Sequence, residues 1–328
     1  MTFEESINTF EHLFRHEMSD EAMHALLVHL YEHGETASDI AGAAMVMREH
    51  AIKLPVPEGM EYELIDNCGT GGDKSGSFNI STTVSILLSA AGCKVAKHGN
   101  RSITSRSGSA DVLEALGVNL NLSPADQVVM LQECGFVFIF AVNHHPAMKF
   151  IMPIRKAIPH RTIFNILGPL TNPAGVKKQF MGVFDKSFIE PVISALKLNM
   201  TKRAMVVSSD NGMDEIGISG VTHAATLFDD VIEHFVINPE DFGFALADVE
   251  AIKGGDATLN AAILRGVLDG SIAGAKRDIV LLNAGASLWV DGRASSMPEG
   301  IAVAQSLIDS GAAIAQLDKI IATSRRFA

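Results

Sequence analysis

Residues 136–142 read Phe-Val-Phe-Ile-Phe-Ala-Val. A short apolar run rich in aromatic and β-branched side chains has no polar face to offer water, so it fits a strand covered on both sides. It is the longest strongly apolar run in the chain and far too short to span a bilayer. Strands buried on both faces belong to parallel sheets, whose neighbours must be joined by crossover helices. The surrounding sequence supplies that alternation, with strands expected at 63–67 and 94–97 and helices at 82–91 and 110–116. Residues 204–208 and 278–282 read as two more buried strands, and 257–268 and 300–310 as helices. The expected fold class is therefore α/β, with a mostly parallel central sheet flanked by helices and right-handed crossovers.

The first fifty residues follow a different pattern. Ile7, Phe10 and Phe14, then Met23, Leu26, Leu27 and Leu30, recur at helical spacing. Ser19-Asp20 and Ser38-Asp39 suit helix starts and Gly34 a helix stop, before Leu54-Pro55-Val56-Pro57 breaks the pattern. Residues 144–168 again read as helix, cut by Pro146, Pro153 and Pro159. A helical stretch interrupting an α/β region is expected to return to the N-terminal helices. The expectation is a small all-helical domain from 1–64 and 145–178 and a larger α/β domain from 65–144 and 179–328, with a site in the cleft between them.

Polar and glycine residues crowd the stretch after the first strand: Gly69-Thr70-Gly71-Gly72-Asp73, then Ser77, then Asn79-Ile80-Ser81-Thr82. Glycines let backbone N–H groups approach an anion, and Ser81 and Thr82 stand where a helix would begin, its positive end facing that anion. The spacing matches neither GxxxxGK[ST] nor GxGxxG. Asp73 inside such a loop would repel phosphate unless a divalent metal bridged the two kinds of oxygen. At the end of the next strand stand Lys97-His98-Gly99-Asn100-Arg101, where ligands of α/β sheets gather. Lys97 and Arg101 can neutralise phosphate; Asn100 can donate to a substrate or simply turn the chain. Ser102, Thr104, Ser105 and Ser109 add hydroxyls.

Asp214-Glu215 follows another strand through Ser209-Asp210-Asn211-Gly212. Two carboxylates there suit magnesium, which takes few protein oxygens, although a solvated acidic turn has the same sequence. His144 and His145 fit packing as well as binding. Arg155 can meet a carboxylate ligand bidentately or pair with a surface acid.

The balance of 26 Lys+Arg against 38 Asp+Glu, a net charge of -12, excludes a nucleic-acid partner that would need a basic face. Cys68, Cys93 and Cys134 form no metal or disulfide spacing, which suits a reducing compartment. An acidic N-terminus without an apolar leader points to the cytoplasm, with no membrane partner.

Taken together and in order, these motifs resemble the anthranilate phosphoribosyltransferase family, across nearly the whole chain. The residues carrying the likeness are Gly69-Thr70-Gly71-Gly72-Asp73, Phe78-Asn79-Ile80-Ser81-Thr82, Lys97-His98-Gly99-Asn100-Arg101, Gly108-Ser109-Ala110-Asp111, His145-Pro146-Ala147-Met148-Lys149, Arg161-Thr162-Ile163-Phe164-Asn165, Gly168-Pro169-Leu170-Thr171-Asn172 and Asp214-Glu215. The chain departs from the pattern at Lys74, at Ser77 and at Ile158-Pro159-His160. The resemblance implies transfer of phosphoribose from phosphoribosyl pyrophosphate to the amine of anthranilate, in tryptophan synthesis. It implies donor contacts from Gly69, Gly72, Asp73, Ser77, Asn79, Ile80, Ser81, Thr82, Lys97, His98, Gly99, Asn100, Arg101, Ser102, Ile103, Thr104, Ser105 and Ser109. It places anthranilate against Gly69, Asn100, His145, Arg155, Gly168 and Pro169, and two magnesium ions per subunit on Ser81, Asp214 and Glu215. It also implies a homodimer through the helical domain and leaves room for association with anthranilate synthase. Pyrimidine nucleoside phosphorylases share the architecture, but the Asp214-Glu215 pair argues against that activity.

Overall fold

The structure is a computed structural model that describes residues 1–73, 75–101 and 106–327. Three helices come first: α1 (Phe3–Phe14), α2 (Asp20–His33) and α3 (Ala37–Glu49). Thr2 and Glu5 form a capping box on α1, Ser19 caps α2, and Gly34 ends α2 at φ 78°. The start of α3 differs from expectation. Thr36 is its cap and Asp39 the reciprocal acid three residues on, so Ser38 lies inside the first turn.

The α/β part then runs β1 (Leu64–Gly69), α4 (Ile80–Ala90), β2 (Lys94–Gly99), α5 (Ser109–Leu116), α6 (Pro124–Cys134) and β3 (Phe136–Phe140). Next come α7 (Ala141–His144), α8 (Met148–Ala157) and α9 (Phe164–Leu170). Pro153 sits inside α8 without breaking it, whereas Pro146 and Pro159 fall between helices as expected. The chain returns to the sheet as β4 (Lys178–Gly182), α10 (Ile189–Leu198) and β5 (Arg203–Ser209), followed by a hairpin, β6 (Thr222–Phe228) and β7 (Val231–Ile237). Helices α11 (Ala257–Leu268), α12 (Ala275–Asp291), α13 (Met297–Asp309) and α14 (Ala312–Ser324) complete it.

Residues 278–282 are not a strand; they lie inside α12. From Ile279 to Leu288 every residue of that helix is buried, so no polar stripe betrays its period and a short window reads as strand.

The sheet has order β3-β2-β1-β4-β5-β6-β7, parallel from β3 to β5 and antiparallel in the closing hairpin. Alternation along the strands feeds two cores. Phe180, Met205 and Val207 face α4, α5 and α11 to α14, while Met181, Ala204 and Val206 face α10 and the helices of the first fifty residues. Ile151, Ile154, Phe164 and Leu167 of α8 and α9 join Phe10, Phe14 and Leu27 in that second core. Among the described residues no helix is long and apolar enough to cross a membrane.

From β1 the chain order runs outward to β2 and β3, then jumps back to β4 and runs the other way. The reversal lies between β1 and β4, and the crevice outside the carboxyl ends of strands at such a point is where α/β sheets hold ligands. Gly69 and Gly182, the last residues of these two strands, are paired across it.

Candidate active site

Past Gly69 the loop is pinned from the opposite strand: the Thr70 N–H donates to Gly182 O at 2.9 Å, and the Gly71 N–H to Asp214 Oδ2 at 2.7 Å. Gly71 and Gly72 take φ of 70° and 79°, a region closed to most side chains, so the loop curls and turns its N–H groups inward. Its exit is tied elsewhere. Ser77 bridges to Lys253, and the Gly254 N–H donates to Gly76 O at 3.0 Å. Lys74 lies outside the described residues.

Helix α4 opens at Ile80 with Asn79 as its cap residue. Asn79 makes no capping bond of its own; its Nδ2 donates to Ser107 O at 3.2 Å and its Oδ1 accepts from Asn260 Nδ2 at 2.9 Å. Ile80 and Thr82 bury their side chains in the protein, which leaves Asn79 and Ser81 as the partly exposed polar groups of this turn.

Asp214 and Glu215 are not a solvated turn. Glu215 is 8% exposed, and Asn283 of α12 clamps the chain beyond it, accepting from the Ile216 N–H and donating to Ile216 O, both at 2.9 Å. Burial, the neighbouring Asp73 charge and a hydrogen bond with Asp73 raise the Asp214 carboxyl to about 7, against the pull of the Gly71 N–H. Burial and Asp214 likewise push Glu215 well above the ordinary carboxylate range, with Lys97 and the Ser81 N–H opposing. Asp73 and Asp214 thus act on each other and on Glu215, and among the described residues Lys97 is the cation that acts on Glu215. Lys97 is fully buried and donates to Asn67 O at 2.6 Å and to Ser81 Oγ at 3.2 Å. Such a cluster is under-neutralised, and a divalent cation fits it. Among the described residues no three His, Cys, Asp or Glu side chains are placed to hold a metal ion by themselves.

Two glycines make the cluster possible. A Cβ on Gly69 would stand 2.0 Å from Asp214 Oδ2, and one on Gly182 would stand 1.6 Å from Asp214 O. Gly182 was absent from the expected site, as were Asn67, Asn260 and Asn283; nothing near them in sequence hints at partners so distant.

Beyond Lys97 the expected donor residues divide. His98 is buried, and its Nδ1–H donates to Gly168 O of α9 at 2.9 Å. Burial and the adjacent His145 hold its pKa at about 3, so it is neutral and offers phosphate no charge. The Arg101 guanidinium is held by Glu114 at 2.6 and 2.7 Å and by Asp111 at 2.9 Å on α5, a pairing that competes with any phosphate role. Gly99 closes β2 against the Phe138 ring, and Asn100 is exposed, its Oδ1 accepting the Arg101 N–H at 2.8 Å. Ser109 begins α5 and is half-buried. Ser102, Ile103, Thr104 and Ser105 lie outside the described residues.

On the other side of His98, the rings of His98 and His145 are 5.2 Å apart, with both Nε2 atoms buried and without a hydrogen-bond partner among the described residues. Burial holds His145 at about 4. Pro169 O accepts from Gln179 Nε2 at 2.6 Å, while the space beside Gly168 is open. Arg155 of α8 is half-buried, its pKa lowered by that burial, and no described residue pairs with it. A guanidinium with no partner among the described residues is suited to a carboxylate ligand.

Sequence models of the glycosyl transferase family match the chain twice, the helical bundle domain over residues 1–51 and the a/b domain over residues 61–314. The chain is 47% identical over 325 residues to an anthranilate phosphoribosyltransferase of Azorhizobium caulinodans, covering 99% of this chain and 93% of that one. Its structure is similar to the anthranilate phosphoribosyltransferase of Thermus thermophilus, with TM-score 0.92 and 39% identity over 99% of this chain and 96% of the other. The Saccharomyces cerevisiae enzyme in complex with PRPP and Mg matches with TM-score 0.85 at 27% identity, covering 94% of this chain and 86% of the other.

Proposed function

Because the chain belongs to the anthranilate phosphoribosyltransferase family, we propose that its cleft takes phosphoribosyl pyrophosphate on the side of the glycine loop and acids, and anthranilate on the side of His145, Arg155, Gly168 and Pro169. The enzyme transfers the phosphoribosyl group from phosphoribosyl pyrophosphate to the amine of anthranilate, giving N-(5-phosphoribosyl)anthranilate and pyrophosphate, in tryptophan biosynthesis. The observation that supports the site reading is the buried pair Asp214 and Glu215, with Asp73 beside Asp214 and Lys97 acting on Glu215, at the switch point of the sheet.

In this reading the loop N–H groups around Gly71 and Gly72, the Ser77, Asn79 and Ser81 side chains and Lys97 hold the donor's phosphates. Asp214, Glu215 and Ser81 are the protein ligands for two magnesium ions, which when bound supply positive charge to the departing pyrophosphate. An aniline nitrogen is a weak nucleophile, so the protein's main work is to stabilise the leaving group and to align the two substrates. Arg155 orients anthranilate through its carboxylate, and Asn100 lies between the two sides. Neutral His98 and His145 line the acceptor wall without adding a charge that would compete for that carboxylate. We further divide the chain into a helical domain of 1–64 and 145–178 and an α/β domain of 65–144 and 179–328, dimerising through the former in the cytoplasm. Helices α8 and α9 share a core with α1 to α3, as the division asks, and that core continues into β4, β5 and α10 of the larger part.

Mixing protein, phosphoribosyl pyrophosphate and magnesium with anthranilate is expected to extinguish anthranilate fluorescence, and EDTA to stop the decay. Folded protein that shows no decay would overturn the reading. In the same assay Arg155→Ala is expected to raise the anthranilate KM on the order of tenfold to a hundredfold, the effect of losing one charge-assisted pair. The donor KM should stay near wild type; an equal rise in both would move Arg155 out of the acceptor site.

A further inference from the structure

We propose that Asp66 is a positioning residue of this active site: its buried carboxylate, held by the His98 peptide N–H and the Asn172 side chain, fixes the wall bearing Gly168 and Pro169 against the ends of β1 and β2. The inference rests on the site reading above. Asp66 lies on β1, three residues before Gly69, and is fully buried. Its Oδ1 accepts from the His98 N–H at 3.2 Å, and its Oδ2 from Asn172 Nδ2 at 2.9 Å. The Cys68 thiol adds a weaker contact to Oδ2 at 3.5 Å.

Each partner leads to the acceptor wall. The His98 ring donates to Gly168 O at 2.9 Å. Asn172, two residues beyond α9, also donates to Ala96 O of β2 at 2.8 Å and accepts the Ala174 N–H at 2.9 Å. One carboxylate therefore ties together β1, β2 and the segment that leaves α9. The glycine loop is anchored independently, through Gly182 O and Asp214.

A buried carboxylate is costly, and an apolar or amide side chain would be the cheaper filling. Geometry shows why neither serves. Both oxygens of Asp66 must accept, because both sides present N–H donors. An amide of the same shape offers one acceptor and one NH2, so it either meets Asn172 Nδ2 donor to donor or leaves the His98 N–H unpaired. Burial raises the Asp66 carboxyl to about 6, with Lys97, Asn172 and the His98 N–H opposing, so it is ionised at neutral pH and accepts on both oxygens.

The experiment is steady-state kinetics on Asp66→Asn, Asn172→Ala and the double variant, with wild-type turnover measured first. Without wild-type turnover the functional reading falls, not this inference. Each single variant is expected to raise the anthranilate KM about tenfold, with kcat and the donor KM within about twofold of wild type. The double variant should fall clearly short of the product of the two single effects, because both remove the Asp66–Asn172 bond. Thermal unfolding establishes which variants are folded, and either single variant suffices for the KM comparison. A parallel rise in both KM values, an unchanged anthranilate KM in folded protein, or effects that multiply in the double variant would each overturn the proposal.

Discussion

Replacing Asp214 and Glu215 together with alanine is expected to lower turnover by at least about a thousandfold, the scale on which preorganised charge stabilisation operates. A rate within tenfold of wild type would sink the metal assignment. Loss of activity through unfolding is a distinct outcome, and the electrostatics predict against it. In metal-free protein the two carboxyls are raised from 3.8 to about 7 for Asp214, by burial and the neighbouring Asp73, and well above 4.5 for Glu215, by burial and Asp214. A carboxyl whose folded pKa lies above its unfolded value contributes stability that is complete below the unfolded value and is lost as pH rises through the folded one. Metal-free wild type should therefore lose thermal stability as pH rises above about 4, through about 7 for Asp214, and magnesium should restore more of it at pH 8 than at pH 5. The double variant should show neither dependence, and at pH 8 without metal it should melt no lower than wild type. Lys97 loses two opposing charges in that variant but keeps Asn67 O and Ser81 Oγ as acceptors.

How far the sequence reveals this site depends on how local each feature is. The glycine loop, the Asn79–Ser81 turn and Lys97 are legible because each sits at the end of one strand or the start of one helix, where spacing alone predicts the geometry. Asp214-Glu215 is legible as a motif and ambiguous as an environment. The contact that removes it from solvent comes from Asn283, 67 residues away from Ile216. Arg101 is ambiguous for a related reason: a basic residue after a strand suggests phosphate, and only the fold reveals that Glu114 on the next helix pairs with it. The Asn172 contact to Asp66 spans 106 positions, and that of Asn260 to Asn79 spans 181. No local pattern encodes either. At the level of elements, residues 278–282 show the converse failure, since burial on every side of α12 erases the periodicity by which a helix is read.

Gly182→Ala is the second substitution expected to be severe, with turnover reduced by about a hundredfold, the penalty for displacing a reacting group by around an ångström. Its strand neighbours explain why no accommodation is cheap. Gly182 pairs with Gly69 on one side and Val207 on the other, so β4 cannot shift away without breaking register with both. A Cβ there would meet Asp214 O at 1.6 Å, its carbonyl carbon at 2.2 Å and its Cα at 2.9 Å. These are backbone atoms, which have no rotamer to escape into, so the whole Asp214-Glu215 segment must move. That motion would strain the Gly71 N–H bond to Asp214 and separate the acids from Ser81. The stability cost of such overpacking is about 1–3 kcal/mol, small enough to leave a folded protein in which activity can be measured. Gly69→Ala should also lower turnover, because its Cβ would meet Asp214 Oδ2 at 2.0 Å and Cγ at 2.6 Å, and turning that carboxylate away breaks its bond from the Gly71 N–H. Gly220→Ala, in the turn following Glu215, meets nothing within 4 Å and should leave turnover near wild type. If Gly182→Ala turns over like Gly220→Ala, the position of the acid pair is not set by the close approach of these strand ends.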